Sequence, residues 1–264
     1  MPFTIANVFG STFSSIRKGF MPLLIVTLLL YLVPTLLITL GLRFGMGIML
    51  GTPASFQGSL LPVTIAVSLV TYFLAFTHMS AVTEITVLTA SNQTIDLGKI
   101  IKHGLVNAIP LFLICLLCAL GWMIGSLFLI IPGFIFGTIF AIVLPVYVAE
   151  RPGIFKAFGR SRHLTKGRRW GVFGFWALVF IIFYILALAI EMPIIAPIMR
   201  QAMQAQTTGQ APTNFMPPVS MMVLLSLAGS VASVILLMIN ASLYNCLRFE
   251  KERHTGASVE KIFE

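Results

Sequence analysis

Long uncharged runs separated by short charged segments dominate the sequence from end to end. A helix needs about 20 predominantly apolar residues to cross a hydrocarbon core roughly 30 Å thick. Runs of this kind predict six transmembrane helices, at residues 20–42, 60–81, 108–131, 133–149, 170–190 and 220–243. We therefore expect an all-α fold, a polytopic membrane helical bundle that forms one integral membrane domain over residues 1–264.

The third and fourth predicted spans come from one uninterrupted stretch. Residues 108–149 contain no charged residue, and a single helix of that length would reach about 63 Å, enough for two crossings. Pro132 and Gly133 favour a turn inside the stretch. The sequence thus predicts a tight helical hairpin here and three hairpins in all.

A short basic segment precedes each pair of spans. These segments cover residues 5–18, 95–107 and 154–169, and each has a cation within two residues of a glycine. We expect all three to be interfacial amphipathic helices. The third is the most regular, and the apolar arc of its helical wheel holds Ile154, Ala157, Phe158, Ser161, Leu164 and Thr165.

The composition agrees with a membrane protein. Charged residues make up 9% of the chain and hydrophobic residues 58%, whereas a soluble domain has about a quarter charged residues. The net charge of +9 could suggest nucleic acid. The cations nevertheless sit between apolar runs and form no groove-reading motif, so we expect no nucleic-acid partner.

The distribution of Lys and Arg predicts the orientation. The predicted spans place only Arg43 and Arg200 on one side of the membrane. The other fifteen of the seventeen are Arg17, Lys18, Lys99, Lys102, Arg151, Lys156, Arg160, Arg162, Lys166, Arg168, Arg169, Arg248, Lys251, Arg253 and Lys261. Under the positive-inside rule the second group, with both chain ends, is expected in the cytoplasm.

Cations are densest between the fourth and fifth predicted spans. Each Lys or Arg near an anionic membrane surface contributes about 1 kcal/mol to binding. The candidate residues for anionic lipid headgroups are Lys156, Arg160, Arg162, Lys166, Arg168 and Arg169. The alternative is that these cations only fix the topology, as basic loops do in any membrane protein.

Polar residues near the cytoplasmic ends of the spans form a second candidate set. It comprises His78, Glu84, Glu150, Arg151, Asn240 and Asn245. Polar groups at membrane depth are costly and often functional, so we expect a cluster if the helices bring these side chains together. The predicted spans place Glu84 just beyond the end of its helix and no acid at the midplane. The alternative is interfacial side chains that reach toward water.

Catalytic and metal-binding patterns are missing from the sequence. Cys115 and Cys118 have the spacing of half a metal site without a partner set, and Cys246 is far from both. The chain contains no phosphate-binding loop and no serine, histidine and aspartate at motif spacing. We expect no enzymatic activity and no cofactor.

Three segments carry a resemblance to a known family. They are IPGFIF at residues 131–136, LPVYVAE at 144–150 and AFGRSRHLTKG at 157–167. They resemble the membrane domain fused to some bacterial glycerophosphodiester phosphodiesterases, which also occurs alone in inner-membrane proteins. The resemblance implies a bacterial inner-membrane location and a fold, but little chemistry, because the activity of fused members resides in a separate soluble barrel.

No His-Arg-Gly opening with acidic metal ligands, as the barrel would require, occurs in the 264 residues. The leading hypothesis is therefore a non-enzymatic membrane protein that binds anionic headgroups or partners at its cytoplasmic face. A passive or lipid-handling transporter is the alternative, and it would need a lipid-sized cavity. A membrane-embedded lipid enzyme would need a histidine and an acid within hydrogen-bond reach.

Overall fold

The computed structural model describes residues 3–41, 54–128, 130–208 and 218–260. Within those ranges the chain is almost entirely helical and has no strand. The helices are α1 (Ile5–Gly41), α2 (Ala54–Ala90), α3 (Leu97–Phe128), α4 (Ile130–Ile139), α5 (Val143–Glu150), α6 (Ile154–Thr165), α7 (Arg169–Thr208) and α8 (Val219–Glu260).

Six helical segments are long and apolar enough to cross a membrane. They are Ile5–Gly41, Ile65–Ala90, Leu97–Leu127, Gly133–Glu150, Arg169–Pro193 and Val219–Arg253. The predicted all-α multi-pass bundle is therefore confirmed. The segments run alternately up and down, so α1, α3 and α7 begin at the end of the bundle where α2, α5 and α8 finish. We call this the basic end, because α6 and most of the cations lie there.

Only one of the three expected interfacial segments is a helix of its own. The first is the start of α1, which continues through a kink at Gly19 and a π-helical turn at Leu28–Leu32. The second is the start of α3, with Gly104 inside the helix. Neither segment contains a residue that ends a helix. The glycines in and after these segments only lower the stability of the helix, because an isolated glycine is a weak helix former.

The third segment, α6, is separated from its neighbours by glycines with positive φ. Gly153 has a φ of 90° and Gly167 a φ of 92°. Residues that carry a Cβ rarely adopt a positive φ, whereas glycine adopts it freely. Pro152 also disfavours a helical conformation for the residue before it. These breaks make α6 a separate helix at the basic end.

The hairpin between the third and fourth spans forms, but its turn differs from the prediction. α4 already begins at Ile130, so Pro132 and Gly133 lie in its first turn. Proline is tolerated there, because the N–H groups of the first turn have no hydrogen-bond acceptor within the helix. The two helices pack closely because Gly133 lies against the backbone of Ser126 and Gly121 against the ring of Phe136. The fourth span then bends between α4 and α5.

The packed core lies toward the basic end. One cluster of buried side chains surrounds Tyr244 and Phe175, and a second surrounds Ile85 and Met238. Farther along the same helices, large apolar side chains are exposed, and Leu127 is 84% exposed. Exposed apolar surface is the expected exterior of a helix in lipid. Among the side chains that the structure describes, the contacts that hold the bundle together therefore lie mainly at its basic end.

Candidate functional site

The apolar arc of α6 packs against the bundle. Ala157, Ser161, Leu164 and Thr165 are buried, and the hydroxyl of Ser161 donates to the carbonyl of Ile139 over 2.9 Å. The amphipathic period of this segment is therefore confirmed, but its apolar arc faces protein. An interfacial helix would place the phenylalanines of this segment at the acyl boundary of the membrane, whereas the bundle covers the side of the helix on which the apolar arc lies.

The two phenylalanines of α6 lie in different surroundings. Phe158 is partly buried, and its ring centroid lies 5.1 Å from that of Phe140. Phe155 is 81% exposed, and Trp170 at the start of α7 is 86% exposed. Aromatic side chains at such positions are typical of the membrane interface. Phe155 and Trp170 are therefore the aromatic side chains of this region that remain available to lipid.

Two of the six candidate headgroup cations form ion pairs within the protein. The guanidinium of Arg160 donates to both carboxylate oxygens of Glu150, at 2.9 and 3.1 Å, and to Glu252 at 3.0 Å. Arg168 donates through Nε and NH2 to one oxygen of Glu250, at 2.8 and 2.7 Å. These arginines join α6 and α7 to α8, and their charges are compensated by protein.

The other four candidate cations have no ion pair among the described residues. Lys156, Arg162 and Lys166 are exposed. Arg169 is half-buried, and its Nε is buried without a hydrogen-bond partner in the described part of the chain. Phe155 and Arg162 are seven residues apart, which places them on the same outward side of the helix, and Lys166 follows directly after its last residue. The uncompensated cations therefore lie beside exposed aromatic side chains.

A basic cleft lies between the start of the described chain and the turn from α6 to α7. It has a volume of about 570 Å³. The residues lining it are Phe3, Thr4, Ile5, Lys166, Gly167, Arg168, Arg169, Trp170 and Gly171. The first turn of α7 contains no acidic residue, so its free N–H groups add to the positive potential of Lys166 and Arg169.

Glu150 is the centre of a polar network at the basic end. Besides Arg160, it accepts a hydrogen bond of 2.9 Å from the phenolic hydroxyl of Tyr244. Glu252 accepts from both Arg160 and Arg248, the latter over 2.9 Å. The carboxylates are thus shared between cations of α6 and α8. Sequence reasoning missed Tyr244, Arg248 and Glu252, although the four-residue spacing of Arg248 and Glu252 is a known helical ion-pair signal.

Glu84 forms a second polar group with residues that follow it in the chain. Its Oε1 lies 2.8 Å from Nδ1 of His103 and 3.5 Å from NH2 of Arg151. The same NH2 lies 2.8 Å from Nδ1 of His103. Nδ1 can donate to Glu84 or accept from Arg151, but it cannot do both at once. Only one of the two contacts at this nitrogen is therefore a hydrogen bond in a given tautomer.

Glu84 was expected just past the end of its helix, and the structure corrects this. α2 continues to Ala90 because no helix breaker follows Ala81, so Glu84 lies inside the helix with its side chain 14% exposed. The partner of Glu84 is His103, a residue that the sequence analysis did not single out. Partial burial among three helices is what allows the pair to form.

The six residues of the second candidate set do not form one cluster. Glu84 and Arg151 are in contact, whereas Glu150 belongs to the Tyr244 network. His78 is buried farther from the basic end, with Nε2 at 3.2 Å from the hydroxyl of Thr27. Asn240 and Asn245 each have a buried side-chain atom without a partner in the described part of the chain. The expected single polar site is therefore divided among separate helix contacts.

The described residues include no group of three or more His, Cys, Asp and Glu that could hold a metal ion. Comparison of the chain with protein-family models, curated proteins and solved structures finds no match. The functional assignment therefore depends on the geometry of this bundle.

Proposed function

We propose that this chain is a non-enzymatic protein of the bacterial inner membrane whose basic end faces the cytoplasm and binds anionic phospholipid headgroups. The observation that carries the proposal is the position of Lys156, Arg162 and Lys166, exposed and without an ion pair in the described part of the chain, beside exposed Phe155 and Trp170. Aromatic rings at the acyl boundary with cations among the phosphates are typical of interfacial binding.

The paired arginines support a division of roles at the basic end. Arg160 and Arg168 are compensated by Glu150, Glu252 and Glu250, so they hold the bundle together. The uncompensated cations are left for an external anion. Binding of this kind is electrostatic, and it weakens as salt screens the charges over a Debye length of about 10 Å at 0.1 M.

The test uses Trp170 as the reporter in the full-length protein, with Trp122 and Trp176 replaced by Phe. The protein is reconstituted in vesicles containing either brominated phosphatidylglycerol or brominated phosphatidylcholine at equal mole fraction, because brominated chains quench nearby indole fluorescence. We expect stronger quenching by the anionic lipid, and we expect the difference to shrink in high salt. Replacing Lys156, Arg162 and Lys166 by Gln should remove the difference.

The matched control replaces Arg17, Lys99 and Lys102 by Gln. These three cations lie at the same end and are exposed. Both triple variants lose three positive charges, so they differ only in which cations are removed. The control protein should keep its preference for phosphatidylglycerol around Trp170. Equal quenching by both lipids in the unmodified reporter protein would refute the headgroup assignment.

Orientation is tested separately with reporter fusions. The asymmetry of fifteen cations against two supports a cytoplasmic position for the basic end. Fusions after Gly159 and Thr255 should report cytoplasm, and a fusion after Gly209 should report the outside. A cytoplasmic signal from the Gly209 fusion would contradict the proposed topology.

A lipid-handling transporter remains the second candidate, and one observation favours it. An apolar groove of about 450 Å³ runs between α1 and α8, from Ile16 and Phe20 to Leu227 and Val231. His103 and Glu84 lie within the hydrogen-bond reach that a lipid enzyme would require, at 2.8 Å, but Arg151 also contacts Nδ1 of His103, and we assign this group a structural role. Transport of a fluorescent phospholipid across reconstituted vesicles would favour the second candidate.

A further inference from the structure

A polar cleft lies at the basic end, and its wall includes the carboxylate of Glu252, which binds Arg160 of α6 and Arg248 of α8. Its volume is about 770 Å³, and it is formed by the beginning of α1, the end of α2 and the last turns of α8. Asn7, Ser14, Ser91 and Asn245 contribute hydroxyl and amide groups to its walls. Gly10 leaves its wall open, because a Cβ added there would meet nothing within 4 Å.

Hydrogen-bond donors from two helices face this cleft. Lys18 of α1 lines it and contacts Asn92 over 2.7 Å with one of its three donors. Arg248 of α8 also lines it and donates to Glu252 and Tyr244, leaving part of its five-donor guanidinium for another acceptor. These groups suit the oxygens of a phosphate.

The apolar groove described above shares its two walls with this cleft. On α1 the two concavities are lined by adjoining residues, Ser15 for the cleft and Ile16 for the groove. On α8 they are lined by Asn245 and Met238, which lie two helical turns or about 10 Å apart. A polar cavity next to an apolar groove is complementary to an amphiphile, which has a polar head and an apolar chain.

We propose that the cleft is a binding site for one glycerophospholipid molecule. Its phosphate lies between Lys18 and Arg248, and one acyl chain follows the apolar groove between α1 and α8. A free phosphate ion would use the same donors but would leave the groove without a role. The site contains none of the α6 cations, so it is separate from the headgroup surface proposed above and can fail or hold independently of it.

The test measures binding of the first molecule of palmitoyl-oleoyl phosphatidylglycerol to the full-length protein in detergent, by native mass spectrometry. Gly10→Leu fills the cleft without changing a charge, and Gly159→Leu is the matched control on α6, where a Cβ also meets nothing within 4 Å. We expect Gly10→Leu to weaken the first binding event by at least about tenfold. Gly159→Leu should bind like the unmodified protein, and equal affinities of both variants would overturn the proposal.

A charge variant keeps the proposal testable if Gly10→Leu fails to fold. Lys18→Gln removes a charged donor from the cleft, and Lys99→Gln removes an exposed lysine of the same end. Loss of a charge-assisted hydrogen bond predicts about tenfold weaker binding for Lys18→Gln alone. Similar affinities for the two variants would contradict the assignment of Lys18.

Two further arms separate a lipid from a free anion. An excess of inorganic phosphate should leave the lipid bound, whereas its displacement by phosphate would show an anion site without lipid recognition.

Val231→Trp fills the apolar groove, and Val106→Trp is its control on a lipid-facing surface, since Val231 is 59% and Val106 70% exposed. Only the first should weaken binding, and an unchanged affinity would exclude the acyl chain from the groove.

Discussion

Tyr244 and Glu150 lie 94 residues apart in the chain, yet the phenolic hydroxyl of Tyr244 donates to a carboxylate oxygen of Glu150 over 2.9 Å. The side chain of Tyr244 is fully buried. Arg160 binds both oxygens of the same carboxylate. One carboxylate therefore connects α5 and α8, which belong to different hairpins of the bundle, with the separate helix α6.

The first prediction concerns this shared carboxylate. Glu150→Ala leaves a buried hydroxyl and a partly buried guanidinium without their acceptor, which should lower the free energy of unfolding by about 2–4 kcal/mol. Tyr244→Phe removes one hydrogen bond and should cost about 1–2 kcal/mol. The measurement is unfolding of the purified protein in mixed micelles with increasing dodecyl sulfate.

Glu191→Ala provides the control for this prediction. Glu191 is exposed on α7, far from the basic end, and its removal should change the stability by less than about 0.5 kcal/mol. Comparable losses for Glu150→Ala and Glu191→Ala would mean that the carboxylate of Glu150 does not hold the helices together.

The second prediction concerns the contact of Glu84 with Arg151. A double-mutant cycle with Glu84→Gln and Arg151→Gln should give a coupling free energy below about 1 kcal/mol, because the Arg151 side chain is 49% exposed and solvent screens the pair. Unfolding in mixed micelles supplies the four stabilities. A coupling energy of several kcal/mol would show that the pair is far more shielded than its exposure indicates.

The third prediction compares two glycines that flank or lie within α6. Gly167 has a φ of 92°, whereas Gly159 is helical with open space around it. Gly167→Ala should destabilise the protein by about 1–2 kcal/mol, since alanine is strained at positive φ. Gly159→Ala should instead stabilise it by up to about 1 kcal/mol, because alanine is the better helix former. The same direction of change for both would refute the role assigned to Gly167.

The fourth prediction is a pH dependence at the start of α3. The backbone N–H of Lys99 donates to the carboxylate of Asp96 over 3.2 Å, and this hydrogen bond, together with the nearby Lys99 charge, lowers the pKa of Asp96. Because the folded-state pKa is below that of the unfolded chain, the carboxylate stabilises the helix start above the unfolded pKa. The contribution is lost as the pH falls through the folded-state pKa, which lies below the ordinary value of an aspartate.

Hydrogen exchange of the first turn of α3 measures this effect. Protection should fall on acidification in the unmodified protein and stay nearly constant in Asp96→Asn, where the amide caps the helix without titrating. A parallel acid-induced loss of protection in Asp96→Asn would assign the change to another group.

The spans could be predicted from the sequence because an apolar run of sufficient length has few alternatives to a membrane helix. The periodicity of α6 was predictable for a similar reason. The surface against which its arc packs was not, because an apolar arc suits a protein core as well as a lipid boundary. Ser161 and Leu164 gave no signal that distinguishes the two environments.

The pairing of charges was the least predictable part. Arg168 meets Glu250, which lies 82 residues farther along, and no local pattern relates them. The positive-inside rule counts cations but does not show which of them acids in other helices neutralise. The first two interfacial segments were predicted as separate helices, but each is the start of a long helix. Gly19 and Gly104 do not end these helices, because a long helix tolerates a single glycine.

The position of the packed core toward the basic end has a consequence for bilayer thickness. The helix halves remote from α6 expose side chains such as Leu69, Leu127 and Ile185, so acyl chains, and not neighbouring helices, surround much of them. Hydrophobic mismatch acts on helices by tilting them. A thinner or thicker bilayer would therefore splay or draw together these remote halves while the ion-paired end keeps its geometry.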